Sequence, residues 1–431
     1  MTQVASALSK TISLQQALQK IDHNMHVVAA MAAAEPTGLF QNLHDRLANL
    51  TGVTIHCANP GSDYACFRDE TLAGHGTFNV MFLTAAVRKL QGRGLVHYIP
   101  QHLSRWAANL RATTSVDIFW GSCSAPDERG FVSLGLGGCY EAEALRMAKC
   151  VILEINPNMP VTFGTTIIPT ADVTHFVLNE HPLATIPQDE PGPIDRQIGR
   201  FVVDLIPDGA TIQLGIGSIP NAIGEALRSK KDLGVHTELI NDAILDLYER
   251  GVITGRRKTI WPEKIVGTFV YGSQALYDFV HKNPVIEIQP ASVVNDPYRI
   301  GRNYKMFSIN TAVEIDLTGQ VCSESIGHIE ISGVGGASDT HTGAQRSEGG
   351  RGIIAMQSTT GDGKHSKITF ELKPGAKVSI SRNDVDTVIT EYGVAKLAGR
   401  STAERVKSLV AIAHPNFRDP LLAAARKTGY I

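Results

Sequence analysis

The chain has 431 residues, of which 43% are hydrophobic and 19% charged, and its formal net charge is −2. This composition is typical of a globular protein large enough for two or three domains. Because the net charge is close to zero and the basic residues do not cluster, nucleic acid and anionic membranes are disfavoured as partners. A small-molecule partner is favoured.

Two further features indicate the compartment and exclude a common kind of site. Residues 1–6 lack the charged start and apolar core of a signal peptide, and no apolar run approaches the roughly 20 residues that span a bilayer. We therefore expect a cytoplasmic protein. The six cysteines form no CxxC pair and show no metal-ligand spacing with the histidines. We expect reduced, mostly buried thiols and no metal site.

Apolar strand-like runs alternate with helical patterns along the first half. In chain order these segments cover residues 25–34, 39–50, 53–57, 116–120, 142–148 and 151–155. Such alternation is typical of βα units, in which helices join parallel strands and cover the sheet. The sequence therefore predicts open α/β domains with mainly parallel sheets.

A stretch rich in proline and acidic residues follows at 179–195. It contains Pro182, Pro187, Pro191 and Pro193 and shows no hydrophobic periodicity, as expected of an interdomain linker. We place the domain boundary within this stretch, which predicts a first domain over residues 1–188 and a second over residues 189–431.

The two sides of this linker resemble distant copies of one another. Three pairs of segments agree in order: 27–43 with 212–227, 52–56 with 234–238, and 127–133 with 316–322. Each member of the third pair is followed by a Gly-Gly pair, at 137–138 and 335–336. The chain is therefore expected to be internally duplicated. In this alignment Glu238 corresponds to His56, which predicts one active site per chain.

The most informative segment of the second half runs from Gly234 to Leu239. It is a short β-like run with one carboxylate, Glu238, just before a helix start at Asn241 and Asp242. In open α/β sheets, ligands collect outside the carboxyl ends of strands, where helix N-termini and loop amides point at them. A carboxylate at such a place can act as a nucleophile, although alone it is more often a solvated residue that suits the helix dipole.

Two glycine-rich turns of the second half could serve that carboxylate. One covers 214–220, between a strand and a helix, and the other covers 332–338. Such turns expose backbone N–H groups and let a ligand approach the backbone, so they can hold developing negative charge.

The sequence patterns disfavour three other kinds of functional site. A dinucleotide-binding turn is weakly supported because Pro220 stands about where its third glycine belongs. Ser358 and His365 break a phosphate-loop pattern at 358–366. No G-x-S-x-G element is present, which disfavours a serine hydrolase.

Several motifs occur in the order in which one enzyme family carries them. They lie at 213–217, 234–239, 295–298, 321–325, 333–336, 381–386, 390–393 and 412–418. With these motifs the chain resembles the acetyl-CoA hydrolase/transferase family, and within it the 4-hydroxybutyrate and butyrate:acetate CoA-transferases. The resemblance covers nearly the whole chain. It implies two tandem α/β domains, equivalent to the fused α and β subunits of other CoA-transferases, with the active site at their interface.

The resemblance implies an enzyme that moves CoA from an acyl-CoA to a small carboxylic acid. Glu238 would attack the thioester to give a mixed anhydride and CoA thiolate. The thiolate would then attack the enzyme's acyl carbon to form a glutamyl-CoA thioester. An acceptor carboxylate would reverse these steps, which predicts ping-pong kinetics. Coenzyme A is then a substrate, and no cofactor is expected.

The resemblance also implies roles for the residues around the nucleophile. Two backbone amides would hold the oxyanions, one from Ile216 or Gly217 and one from Gly335 or Gly336. The residues implied in binding CoA or the acyl group are Gly215, Gly333, Val334 and Asn310.

Departures from the family pattern bear on the acid that is used. Many relatives continue Gly-Gly-Gln-x-Asp-Phe, where this chain has Ala337 and, three residues later, Thr340. The donor is expected to be of the acetyl-CoA or succinyl-CoA type. The candidate acids are acetate, butyrate, 4-hydroxybutyrate, succinate and itaconate.

Two alternative functions remain open, and an oligomeric assembly is expected. An acyl-CoA thioester hydrolase would result if water reached the glutamyl thioester, and a CoA-binding regulatory protein would result if turnover had been lost. Because closed symmetric assemblies are common among such enzymes, a homodimer or higher homo-oligomer is expected.

Overall fold

The computed structural model describes residues 3–431. Their contacts divide the chain into two compact units. The first comprises the residues up to 186 together with 266–294, and the second comprises 187–265 and 295–431. The segment 266–294 is joined to the first unit by main-chain hydrogen bonds, from Val270 N to Leu136 O (2.9 Å) and from Ala291 N to Cys139 O (2.7 Å).

Residues 3–186 carry short helices between strands. The helices are α1 (Gln3–Leu8), α2 (Leu14–Leu18), α3 (Thr37–Leu47), α4 (Ala85–Arg88), α5 (Trp106–Thr113) and α6 (Glu141–Met147). The strands are β1 (His26–Ala29), β2 (Val53–His56), β3 (Gly76–Val80), β4 (Val96–Tyr98), β5 (Ile118–Cys123), β6 (Phe131–Ser133), β7 (Cys150–Ile155), β8 (Ile167–Pro169) and β9 (His175–Leu178). Single 3₁₀ turns cover Ala32–Ala34, Ala65–Phe67, Glu70–Leu72, Leu103–Arg105 and Thr170–Asp172.

Residues 187–294 continue the alternation of helices and strands. The helices are α7 (Pro193–Leu205), α8 (Ser218–Leu227), α9 (Asp242–Glu249), α10 (Gln274–Val280) and α11 (Ala291–Val294). The strands are β10 (Thr211–Leu214), β11 (Gly234–His236), β12 (Leu239–Ile240), β13 (Ile265–Gly267), β14 (Phe269–Val270) and β15 (Ile286–Ile288).

Residues 295–431 complete the second unit. The helices are α12 (Pro297–Ile300), α13 (Ala337–Arg346), α14 (Thr402–Ile412) and α15 (Pro415–Lys427). The strands are β16 (Met306–Asn310), β17 (Glu314–Asp316), β18 (Val321–Cys322), β19 (Ser325–Ile326), β20 (Ile329–Glu330), β21 (Arg351–Ala355), β22 (Ile368–Thr369), β23 (Thr387–Thr390) and β24 (Gly393–Lys396).

The first unit is built on a parallel sheet with the order β4-β3-β2-β1-β5-β7-β9. Helix α3 buries Leu39, Phe40, Leu43 and Leu47, and these side chains belong to an apolar core that includes Phe78 and other strand residues. The predicted strand and helix segments at 25–57 and 116–155 are confirmed as β1, α3, β2, β5, α6 and β7.

The second unit contains its own mainly parallel sheet. Within this unit the order is β11-β10-β16-β21-β23-β24, and only the last pair, β23 with β24, is antiparallel. Helix α14 begins with a capping box formed by Ser401 and Glu404 and buries Val406 and Leu409 in the unit's core. The predicted class, open α/β with mainly parallel sheets, is confirmed.

The predicted linker ends earlier than its composition indicates. Residues 179–192 form no helix or strand, but α7 begins at Pro193. Proline suits the first helical position because its missing N–H would have no helical partner there. The Asp195 carboxylate accepts a hydrogen bond from Gly192 N at 3.0 Å and closes the start of the helix.

The two units share one strand order, in agreement with an internal duplication. The order β2-β1-β5-β7-β9 of the first unit is repeated by β11-β10-β16-β21-β23 of the second. The registers agree as well. If Val27 is aligned with Ile212, their strand partners are Ile55 and Val235 on one side. On the other side their partners are Ile118 of β5 and Phe307 of β16. When the registers are followed outward from these partners, the first residue of β7 aligns with the first residue of β21, and the first residue of β9 aligns with the first residue of β23.

One detail of the predicted strand alignment is wrong. Because Ile55 corresponds to Val235, the register aligns His56 with His236, and Glu238 with Ala58 rather than with His56. A slip of two residues keeps the alternation of faces along a strand unchanged, so the hydrophobic pattern cannot reveal it. The carboxylate still belongs to the second copy alone.

All six cysteines are free thiols, and only Cys150 is partly exposed, as predicted. Within the described residues, no group of three or more His, Cys, Asp or Glu side chains could hold a metal ion. No helix in the same range has both the length and the apolar composition needed to cross a bilayer.

Candidate active site

Three neighbouring parallel strands of the second unit bring predicted site residues to one edge of the sheet. Strand β10 lies between β11 and β16. The turn 215–217 follows β10, Glu238 follows β11, and Asn310 ends β16. The chain continues from β10 to β11 on one side and later returns to β16 on the other. Such a reversal of strand order opens a crevice at the carboxyl ends of the strands.

Glu238 lies in a bend between β11 and β12 and is half-buried. Its carboxylate is held by two donors. Asn295 Nδ2 donates to Oε2 at 3.1 Å, and the main-chain N–H of Gly336 also donates to the carboxylate. The side chain therefore has a defined orientation at the carboxyl edge of the sheet.

The glycine at position 336 is required by a close approach. A Cβ atom there would lie 2.1 Å from Glu238 Oε2 and 2.0 Å from Asn295 Nδ2. Gly336 is also the N-cap of α13, so the helix starts beside the carboxylate. Its neighbour Gly335 has φ +53°, and a Cβ there would lie 3.7 Å from Glu238 Oε1. Gly333 and Val334 precede them in the same loop.

The turn after β10 has the strand–turn–helix form that its sequence predicts. Gly217 has φ +110° and forms the N-cap of α8, a conformation that favours glycine. Asn241 connects this turn to the segment that bears Glu238. Its Nδ2 donates to Gly215 O at 2.7 Å, while its Oδ1 accepts from Ile244 N at the start of α9. One side chain therefore caps a helix and holds the glycine turn.

Desolvation by burial raises the pKa of Glu238 from 4.5 to about 7. The negative charge of Asp339 raises this pKa further, whereas the hydrogen bonds from Asn295 and Gly336 lower it. A carboxylate that is weakly solvated and only part ionised near neutral pH is poised for reaction, and shifts of this kind are concentrated at functional sites.

We expect the reaction rate to follow the ionisation of Glu238. A carboxylate attacks only in its ionised form, so if Glu238 is the nucleophile, kcat/KM should be level above pH 7 and fall about tenfold per pH unit well below it. Asp339→Asn removes a negative charge and should move this acid limb to lower pH. Asn295→Ala removes a donor to the carboxylate and should move it to higher pH. Profiles of kcat/KM between pH 5 and 9 measure both shifts, and equal profiles for all three proteins would contradict this assignment.

Three residues around the carboxylate were not assigned a role from the sequence. Asn295 and Asp339 lie in the motif segments at 295–298 and just after 333–336, but nothing in those segments indicates that they face Glu238. Asn241 was interpreted only as a helix start. The sequence signal for these residues was a polar side chain directly after a strand or at a helix N-cap. Polar side chains are common at such positions, so this signal does not by itself indicate a functional residue.

The first unit has no carboxylate at the position that corresponds to Glu238. Ala58 occupies it, and Ala58 N lies 3.3 Å from the hydroxyl of Tyr140. Tyr140 is the N-cap of α6, as Gly336 is of α13, so the helix starts align Gly336 with Tyr140 and not with Gly138, as the Gly-Gly pairs had predicted. A bulky side chain therefore stands in the first unit where the second unit has glycine. Of the two units, the second has a carboxylate at this position and a glycine beside it.

Comparisons with known proteins agree with the motifs. Residues 2–187 match the model of the acetyl-CoA hydrolase/transferase N-terminal domain, and residues 272–425 match that of its C-terminal domain. The chain is similar to a 4-hydroxybutyrate coenzyme A transferase of Clostridium kluyveri, with 41% identity over 97% of each chain. It is 38% identical to a succinyl-CoA:cyclohexane-1-carboxylate CoA transferase of Geobacter metallireducens, over 93% of this chain and 91% of the relative.

A solved structure extends the likeness to the fold. RipA from Yersinia pestis superimposes with a TM-score of 0.95 at 33% sequence identity, over 100% of both chains. Both family models together span most of the sequence, and the relatives are matched over nearly their whole length. The resemblance indicated by the motifs is thereby confirmed, and the chain belongs to the acetyl-CoA hydrolase/transferase family.

Proposed function

We propose that the protein is a CoA-transferase in which Glu238 is the nucleophile. The observation that carries the proposal is the setting of this carboxylate. Glu238 lies at the carboxyl edge of a parallel sheet, is held by Asn295 and Gly336, and has its pKa raised by burial to about 7. Relatives named as CoA transferases at 41% and 38% identity support the reaction class.

The proposed chemistry proceeds by two acyl transfers in each half-reaction. The Glu238 carboxylate attacks the thioester carbonyl of the acyl-CoA, and the C–S bond breaks to leave a mixed anhydride and CoA thiolate. The thiolate then attacks the Glu238 acyl carbon and releases the donor's carboxylate, so that a glutamyl-CoA thioester remains. An acceptor carboxylate reverses both steps. No net proton transfer is needed, because one carboxylate replaces another.

Two oxyanions form in this sequence, and the structure offers donors for both. When thiolate attacks the Glu238 acyl carbon, the negative charge develops on a glutamate oxygen. Asn295 and Gly336 already donate to this carboxylate. When Glu238 attacks the substrate, the charge develops on the substrate oxygen, which the main-chain amides at 216–217 and 335–336 could hold. Each such donor is typically worth roughly 10²–10³ in rate.

Hydrogen bonds in the first unit support a choice of which of these amides act as oxyanion donors. Met31 N and Tyr140 N both donate to the buried carboxylate of Glu141, at 3.3 and 2.9 Å. By strand register Met31 corresponds to Ile216, and by its place at the helix start Tyr140 corresponds to Gly336. The same pair of positions therefore holds a carboxylate in the first copy. We assign Ile216, in preference to Gly217, as a donor to the substrate oxyanion, and Gly336, which already donates to Glu238, as a donor to the glutamate oxyanion in preference to Gly335.

The remaining assignments are proposals on the same basis. Gly215, Gly333 and Val334 would lie along the bound CoA, which is a substrate and not a cofactor. The donor would be an acetyl-CoA or succinyl-CoA type of thioester and the acceptor a small acid such as acetate, butyrate, 4-hydroxybutyrate or itaconate. A homo-oligomer in the cytoplasm remains a prediction.

Steady-state kinetics test this proposal against its two alternatives. A transferase turns over continuously only when acyl-CoA and acceptor acid are both present, and its double-reciprocal plots are parallel. A hydrolase releases free CoA without an acceptor. A regulator that only binds CoA raises the melting temperature without turnover. Acceptor-independent release of CoA at the full rate would replace the transferase proposal with hydrolysis.

A further inference from the structure

Positively charged side chains from distant parts of the sequence meet at the amino edge of the second unit's sheet, beside the starts of β11, β16 and β21. They are Arg256 and Arg257 of the loop 254–264, Arg302 and Lys305 just before β16, and Arg346 in the last turn of α13. We call these five residues the basic edge. The chain as a whole has a net charge of −2, so this concentration of positive charge is a local feature.

Contacts between neighbouring segments make the basic edge continuous. The Thr259 hydroxyl, in the loop that carries the first two arginines, donates to Arg302 O at 2.6 Å. A Cβ on Gly301 would lie 2.7 Å from Arg346 Cβ, so the end of α13 lies against the segment before β16. The loop, that segment and the helix end therefore form one surface.

The charges of the basic edge are not neutralised within the protein. None of its five side chains forms an ion pair with a carboxylate among residues 3–431. Arg346 lies over the ring of Tyr298 at 4.8 Å from its centroid, and Lys305 lies over Tyr304 at 5.2 Å. Both rings remain accessible, since Tyr298 is 72% exposed and Tyr304 40%. Positive charge and aromatic surface are therefore both available to a partner.

The backbone beneath the basic edge is held in unusual conformations. In the second unit, the described non-glycine residues with positive φ all lie in the loop 254–264 or just before β11 or β16: Asp232, Trp261, Glu263 and Lys305, at +56°, +48°, +61° and +52°. Such conformations cost free energy and persist only where the surrounding structure imposes them, often at functional surfaces. The buried Lys258 is one such restraint, because its Nζ donates to Val235 O at 2.7 Å and to Lys264 O at 2.8 Å. The surface is therefore preorganised for binding.

The basic edge is separate from the candidate active site. Glu238 and the glycine turns lie at the carboxyl edge of the same sheet, whereas the basic edge lies at its amino edge. Strand β16 has five residues and spans about 16 Å between the two edges. A partner at the basic edge would therefore not contact the reacting carboxylate, and this binding function does not depend on the proposed reaction.

The residue types favour a protein partner. Arginine and tyrosine are enriched at the centres of protein interfaces and lysine is depleted there, and this surface has four arginines, one lysine and two exposed tyrosines. Arginine also binds carboxylates through paired hydrogen bonds. The exposed carboxylates of Glu263 and Glu348 border the surface and would repel a uniform phosphate chain, whereas a polypeptide can place neutral residues against them. Two copies of the edge would repel each other.

We propose that the basic edge docks an extended, acidic segment of another protein. Its carboxylates would pair with the arginines, and its apolar groups would pack on Tyr298 and Tyr304. Because the surface is charged and exposed, its affinity for such a segment falls as ionic strength rises.

Binding of a labelled acidic peptide tests the proposal. Fluorescence anisotropy is measured with fluorescein-labelled decaglutamate, and with decalysine and a decathymidylate strand for comparison, at about 0.15 M salt. We expect decaglutamate to bind most tightly. The double variant Arg256→Glu/Arg302→Glu should weaken it at least about tenfold, and Tyr298→Ala severalfold without a change of charge. Arg426→Glu/Lys427→Glu, on exposed residues of α15, makes the same change of net charge and should retain binding.

Three results would overturn the inference. One is a lack of decaglutamate binding to the wild-type protein. Another is an equal loss of binding in the double variant and in its α15 control, which would show that only net charge is sensed. The third is tighter binding of decathymidylate, which would assign the surface to nucleic acid. Melting temperatures verify the fold of each variant, and if the arginine variant unfolds, full decaglutamate affinity in folded Tyr298→Ala would equally overturn the inference.

Discussion

Replacement of Glu238 by alanine or glutamine is expected to lower CoA transfer by at least about 10³-fold. The reason is chemical, because neither side chain can form the anhydride or the thioester. The fold should be retained, since the contacts of Glu238 with Asn295 and Gly336 are local to the crevice. Initial rates with acetyl-CoA and an acceptor acid measure the loss, and melting temperatures verify the fold.

The glutamine variant should also be more stable than the wild type above neutral pH. The pKa of Glu238 is about 7 in the folded chain and about 4.5, its ordinary value, when unfolded. The folded state therefore binds more protons between these values, and wild-type stability declines as pH rises through this window. Glu238→Gln should gain on the order of 2 kcal/mol at pH 8 and little at pH 4.5.

A carboxylate on the same unit outside the crevice provides the control. Glu225 on α8 pairs with Arg196 at 3.0 Å at the surface. Glu225→Gln should change neither the transfer rate nor the stability appreciably, because exposed ion pairs contribute little. Wild-type transfer by Glu238→Ala would contradict the proposed mechanism. If Glu238→Ala loses its rate because it unfolds, the transfer rate of the folded Glu238→Gln variant tests whether the carboxylate is required.

Replacement of Gly336 by alanine should be nearly as damaging for a steric reason. The added Cβ would lie 2.1 Å from Glu238 Oε2 and 2.0 Å from Asn295 Nδ2. The carboxylate and its donor must then move apart, and both orientation and oxyanion stabilisation are lost. We expect kcat to fall roughly 10²–10³-fold with acyl-CoA binding less affected, because the main change is at the reacting carboxylate.

The same substitution at an open position separates local crowding from a general glycine effect. A Cβ at Gly361 would meet no atom within 4 Å, and its backbone has no positive φ. Gly361→Ala should therefore leave the rate unchanged. Rates and melting temperatures of both variants are compared under one set of conditions. If Gly336→Ala kept the wild-type kcat, Gly336 could not lie against the reacting carboxylate as described.

Local features of the site could be predicted from the sequence, because interactions between residues close together in the chain determine them. The start of α9 at Asn241 and the turn between β10 and α8 follow from capping and glycine preferences that act over a few residues. The alternation of strands and helices likewise predicts parallel sheets. These features position Glu238 at the carboxyl end of a strand.

The remaining features depend on contacts that are distant along the chain. Asn295 donates to Glu238 across 57 positions, and no local pattern indicates that pair. The segment 266–294 joins the first unit through hydrogen bonds to residues more than a hundred positions away. The two-residue error in aligning Glu238 with His56 arose because period-two patterns are unchanged by such a slip.

The most direct test of the central claim is to look for the glutamyl-CoA thioester itself. The protein is incubated with acetyl-CoA without acceptor, treated with borohydride, and digested for peptide mass spectrometry. The account predicts a CoA adduct or its reduced form on the peptide that contains Glu238 and on no other, and none in Glu238→Gln. An unmodified Glu238 peptide in protein that turns over acetyl-CoA and acceptor, or an adduct elsewhere, would contradict the account.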